Sequence, residues 1–135
     1  MKTRLRFVFE LRGDFDPNVI TREVALEPSE VWRKGDSGTH KGIRQYDYWC
    51  LDTGYVNTLD LEEIAEDIHN KLKLKREQLS KVIADYDITT VFTVVAKIDG
   101  NHTPAVSFSE DIVKLGSEFG AFFDIDLYVN DSSQK

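Results

Sequence analysis

Cysteine is nearly absent from this 135-residue chain, which holds one, together with three prolines and one methionine. A lone thiol, Cys50, cannot close an internal disulfide, so a secreted scaffold stapled by cystines is excluded. Few prolines and a 41% hydrophobic, 30% charged composition exclude disordered and fibrous classes. No apolar run approaches membrane-spanning length. At the start, Met1-Lys2-Thr3-Arg4-Leu5-Arg6-Phe7 interleaves charge with apolar side chains where a secretory leader needs an unbroken apolar stretch. The expectation is a cytoplasmic protein without membrane contact. Reactive signatures are equally scarce. His40, His69 and His102 are far apart and show no zinc-ligand spacing. No Gly-x-Ser-x-Gly elbow and no Cys-His signature is present. Nothing in the chain calls for a cofactor.

What is present is enough for one domain. A chain of this length can bury roughly two-thirds of its unfolded surface without metal or disulfide. A single domain over residues 1–130 is expected, followed by a polar tail over 131–135. The formal net charge is −7, balanced over residues 1–56, with the whole acidic excess in residues 57–135. An acidic chain repels phosphate backbones, which argues against nucleic acid as a partner. It suits a basic protein partner, and it also serves solubility.

Periodicity supplies the elements. Leu5, Phe7, Phe9 and Leu11 alternate with Arg4, Arg6, Val8 and Glu10, the period of a strand. Asp16-Pro17 caps a short helix through Val24, and Pro28 closes that segment. Residues 29–40 read as a polar loop around Gly35-Asp36-Ser37-Gly38. Strand character resumes from Ile43 to Leu51. Leu61, Ile64, Ala65, Ile68 and Leu72 keep helical spacing with Thr58 as the expected cap, and Leu79, Val82, Ile83 and Tyr86 repeat it after a break near Leu74. Acids lead and lysines follow in this stretch, which complements the helix dipole. Thr89 to Ile98 is a strand, and Asp99-Gly100-Asn101-His102 reads as a hairpin turn into a strand at Ala105 to Phe108. Ser109 caps a last helix that Gly120 stops, and Phe122 to Val129 forms the final strand. This order predicts an α+β fold with a mixed, mostly antiparallel sheet, helices packed on one face, and a ferredoxin-like topology.

Two groups of residues are candidates for function. Asp124, Asp126 and Tyr128 share one face of the last strand, opposite Phe123, Ile125, Leu127 and Val129. Paired carboxylates can hold a cation or exchange protons, but alternation alone also puts polar residues on a solvent face whose reverse packs on helices. No third ligand stands at readable spacing, so no metal is assigned. The second group, Trp32, Arg33, Lys34, Gly35, Asp36, Lys41 and Arg44, is a basic patch in an acidic chain. It could grip an anion or present Trp32 to a partner, or it could be a charged loop with Trp32 in the core. It lacks the Gly-x-x-x-x-Gly-Lys phosphate pattern. Cys50 reads as a small buried hydrophobe.

Four features in order resemble a bacterial family, domain of unknown function 4279. They are the first strand running into Asp16-Pro17, the segment Pro28-Ser29-Glu30-Val31-Trp32-Arg33-Lys34-Gly35-Asp36, the strand Tyr48-Trp49-Cys50-Leu51, and Phe123-Asp124-Ile125-Asp126-Leu127-Tyr128. The resemblance covers nearly the whole chain. It implies a small α+β domain, brings no catalytic residues, and by analogy suggests an immunity-like binder. Three classes follow. The favoured one is a non-enzymatic cytosolic binding protein using the Trp32 loop and the acids Glu62, Glu63 and Glu66. The others are a small-molecule or metal-dependent enzyme built on Asp124 and Asp126, and a homodimer whose contacts are with a copy of itself.

Overall fold

The computed structural model describes residues 2–38 and 42–130. The expected tail at 131–135, together with His40 and Lys41, lies outside them. The strands are β1 (Arg4–Gly13), β2 (Glu30–Trp32), β3 (Asp47–Asp52), β4 (Val56–Asn57), β5 (Thr89–Asp99) and β6 (Phe122–Asn130). The helices are α1 (Pro17–Val24), α2 (Leu61–Leu74), α3 (Arg76–Asp85) and α4 (Glu110–Phe119). All strands join one sheet in the order β2-β3-β1-β5-β6, with β4 on the end of β1. Every pairing is antiparallel except β5 with β6. The expected class, a mixed and mostly antiparallel sheet with helices packed against it, is what the chain adopts.

Strand order departs from the ferredoxin-like arrangement. That topology splits each βαβ unit by another strand. Here β5-α4-β6 is unsplit, and Phe92 pairs directly with Phe123. The expected hairpin strand at 105–108 is also missing. Both edges of β5 are occupied, by β1 and β6, so no edge remains for it. Instead the segment crosses to the start of α2, where Ala105 bridges Asp60 and its amide donates to Leu59 O at 2.6 Å. Conversely, β2 forms where a loop was expected, a short edge strand against β3.

Paired residues share a sheet face, so register sorts the side chains. Leu5, Phe7 and Phe9 align with Ala96, Val94 and Phe92. Together with Trp49 and Leu51 they meet Ile20, Leu72, Leu79, Ile112 and Phe119 from the helices in one core. Phe9 lies between Phe92 and Phe119, with centroids 5.3 and 5.8 Å away. Burying each such side chain contributes about 2–3 kcal/mol. All four helices among the described residues cover this face, and none of them lies on the other.

The local signals for the helices hold with one exception. Asp16 accepts from Asn18 N at 2.9 Å and Pro17 opens α1. The cap of α2 is Asp60 rather than Thr58; Asp60 accepts from Glu62 N, while Thr58 Oγ1 accepts from Asp60 N one step earlier. The break after α2 falls at Lys75, where the apolar spacing lapses. Ser109 caps α4, and Gly120 ends it at φ 63°, where glycine has no Cβ penalty. Gly116 fixes how α4 meets β6: a Cβ there would stand 2.7 Å from the ring of Phe123. Its absence lets Phe123 stack on Phe92 at 5.1 Å.

Candidate functional site

The helix-free face gathers alternate residues of five strands. By register it carries Trp32 from β2, Tyr48, Cys50 and Asp52 from β3, Arg6, Val8, Glu10 and Arg12 from β1, Thr93 and Val95 from β5, and Asp124 and Asp126 from β6. Both candidate groups thus project from one face, at opposite edges of the sheet.

At its centre is a carboxylate that alternation sets on the strand face opposite Phe7 and Phe9. Glu10 is 7% exposed. It accepts from the Tyr48 hydroxyl at 2.7 Å, from the Thr93 hydroxyl, and from Arg12 at 3.2 Å. Burial, and then the Glu10 charge, push the Tyr48 phenol far above its ordinary range, so it stays a donor. Cys50, pointing from the same face, is wholly buried, and burial pushes its thiol up to about 11. A thiol so protonated is a poor nucleophile. The native protein at pH 8 should therefore leave Cys50 unlabelled by a disulfide reagent for hours, and denaturant should release one equivalent. Rapid labelling without denaturant would show that this face opens.

Trp32 is half-buried in a stack rather than free. Its ring lies 3.7 Å from that of Tyr48, nearly parallel, its Nε1 donates to Tyr46 O at 2.9 Å, and the Arg44 guanidinium covers its other side at 3.6 Å. The described residues that follow, from Arg33 to Asp36, are turn structure. Gly35, at φ 95°, donates to Arg44 O, while Asp36 accepts from Arg33 N and its own amide returns to Arg33 O. Asp47, 2% exposed, gathers the segment by accepting from Lys34 N at 2.7 Å, Phe15 N at 2.8 Å and Arg33 Nε at 3.1 Å. Burial alone would raise this carboxyl, yet these donors hold it below the usual range. Arg33 also faces Asp16 at 3.6 Å. Of the described cations of the patch, Arg33 and Lys34 are exposed and Arg44 is half-buried.

Further along the face, Arg6 forms a bidentate pair with Asp52, which raises the guanidinium and, against burial, lowers the carboxyl. Arg4, Arg6 and Lys97 all lie over the ring of Tyr55, at 5.0, 5.6 and 4.5 Å.

At the opposite edge, β6 pairs with β5 along its whole length, and no other described strand meets its outer side. Asp124, Asp126 and Tyr128 are exposed, as alternation requires. Beyond Phe123, the reverse of the strand does not pack on helices as expected. Ile125, Leu127 and Val129 are 47%, 60% and 66% exposed, beside Phe122 at 63% and Tyr128 at 57%. Length explains this. The ten residues of α4 rise about 15 Å, whereas the nine of β6 extend about 30 Å, so the helix that precedes the strand covers its start and little more. Among the described residues Asp124 and Asp126 have no ion-pair partner, and no third His, Cys, Asp or Glu joins them in a group able to hold a metal.

The family model for Domain of unknown function (DUF4279) matches residues 2–130. The chain belongs to the DUF4279 family. No curated protein and no solved structure matches it. The first strand, the Pro28–Asp36 segment, the Trp49 strand and the last strand, on which the resemblance rested, all fall inside the matched span.

In this DUF4279 domain a cleft of about 390 Å³ lies between α2 and α4. Glu62, Glu63, Glu66 and Asp111 line it over Phe7 and Ala65. His69 Nε2 stands 3.9 Å from Asp111 there. No helix among the described residues is long and apolar enough to cross a membrane. Glu10 and Asp47, the two most heavily used polar side chains, were not singled out by sequence. The available signal was the apolar run Val91, Phe92, Val94, Val95 and Ala96 of β5, interrupted by Thr93 alone, which marks a strand buried on both faces.

Proposed function

We propose that this DUF4279 domain is a non-enzymatic binding protein that holds a protein partner along the β6 edge. The observation that carries the reading is the exposure of five large apolar side chains on one nine-residue edge strand. Edge strands offer unpaired amides and carbonyls, and proteins ordinarily blunt them with short length, bulges or cover. An uncovered apolar edge of this length fits a surface filled in a complex. The central polar groups of the helix-free face are engaged with one another, in the Glu10 and Arg6–Asp52 networks, which also favours binding over catalysis. The acidic balance of the chain favours a basic partner.

A pull-down from cells with tagged wild type, beside a Leu127→Glu, Val129→Glu variant, tests the reading. The expected result is one stoichiometric protein held by wild type and lost by the variant, with thermal stability unchanged, since both positions are exposed. A basic toxin recovered in this way would make the role immunity-like. A partner retained equally by both proteins would move the interface away from β6.

A further inference from the structure

Resting on that reading, we infer that the partner enters as an extended strand that adds to β6, its side chains alternating basic and apolar. Three observations select this occupant. Within a strand, the amide and carbonyl of alternate residues point to opposite edges, so pairing with β5 leaves the outward groups of every second residue of β6 without a strand partner among the described residues. Those groups are satisfied by another strand and poorly by a helix.

Side-chain chemistry divides between the two faces along the middle of this edge, with Phe122 and Tyr128 flanking the two acids. Toward the helix side stand Ile125, Leu127 and Val129, and toward the helix-free side Asp124 and Asp126. An added strand places its own alternate side chains beside each set, at the spacing of cross-strand neighbours. The inner neighbours of the two acids on β5, Thr93 and Val95, are neutral, so neither carboxylate has a cation directly opposite it on that strand. Lys or Arg on the added strand supplies it, while Val, Ile or Leu on the same strand covers the apolar row. A second copy of this chain is a poorer fit. Antiparallel registers centred on Ile125 or Asp126 set carboxylate against carboxylate, and each molecule brings a formal charge of −7.

The test uses fluorescein-labelled synthetic peptides of about seven residues, a typical strand length. One alternates lysine with valine, one alternates glutamate with valine, and one carries proline at the centre of the lysine–valine sequence. Binding is read by anisotropy and located by amide shifts in the intact protein. The expected result is that the lysine–valine peptide binds about tenfold tighter than either control, shifts amides of β6, and weakens as salt rises. The variant Asp124→Lys, Asp126→Lys should reverse the preference toward the glutamate–valine peptide. Both positions are exposed, and a thermal melt confirms that the variant is folded.

Equal binding of the two charged peptides, or an unchanged order in the double variant, overturns the inference. So does a wild-type dimer at micromolar concentration that Leu127→Lys dissociates, because a second copy then owns the edge. If the pull-down partner depends on Leu127 and Val129 while these peptides fail, the binding reading stands and the strand chemistry falls. If the partner ignores β6 altogether, both fall together.

Discussion

Glu10→Ala should cost this domain about 3–4 kcal/mol of stability, the largest single effect expected outside the apolar core. Glu10 stands mid-strand in β1 and is 7% exposed. Its two oxygens take the hydroxyls of Tyr48 and Thr93 and the Arg12 guanidinium, so it ties the flanking strands β3 and β5 to β1 across the helix-free face. Alanine would strand two buried hydroxyls and leave the half-buried Arg12 without its counter-charge. Removing one partner of such a group costs the desolvation of those left behind, which exceeds the net worth of the bonds. Glu10→Gln keeps the shape and an acceptor, and should lose about half as much. Urea unfolding would measure both. Tyr48→Phe alone should cost about 1 kcal/mol, and the double variant Glu10→Ala, Tyr48→Phe should fall short of the sum, because the orphaned hydroxyl is then gone. Strict additivity would mean that the two side chains do not communicate.

The same residue shows where sequence reading stops. Alternation correctly put Glu10 opposite Phe7 and Phe9, and from that alone it belonged in water. Alternation identifies a face; it does not say what lies above it. Tyr48 and Trp32 come from strands distant in sequence, and only tertiary pairing stacks them over this face. The break between α2 and α3 was legible because it depends on local spacing, and so were the caps at Asp16 and Ser109. The Trp32 segment was legible as a unit but not as a brace, since its organiser, Asp47, lies across the loop on another strand. For β6, the two faces were read correctly and the cover over one of them was not. Strand pattern implies a partner layer, and here the length of α4 falls short of providing it.

Asp47 carries the second large effect, and with it the acid response of the fold. Its carboxylate is 2% exposed and takes the amides of Phe15 and Lys34 as well as Arg33 Nε. Asp47→Ala would leave the Phe15 and Lys34 amides without their acceptor and release the turn that holds Trp32, at a cost of about 3 kcal/mol. For a domain of this size that lowers Tm by about 10 °C at neutral pH. The proton linkage follows from the direction of the shift. Asp47 and Asp52 both lie below the ordinary carboxylate range in the folded state, despite burial that would raise them. A carboxyl so depressed binds protons more tightly when unfolded. Its contribution is complete above the unfolded value of about 3.9 and is lost as pH falls through the folded value. Wild-type Tm should therefore change little in these terms from neutrality down to about pH 4, and then drop steeply below it. Asp47→Asn keeps one acceptor but no titrating group, so it should start lower at pH 7 and fall less steeply below pH 4. Melting curves of the two proteins should converge as acid protonates the wild-type carboxyl. Parallel curves across that range would show that Asp47 acts by its hydrogen bonds alone and that the acid response comes from elsewhere in the chain.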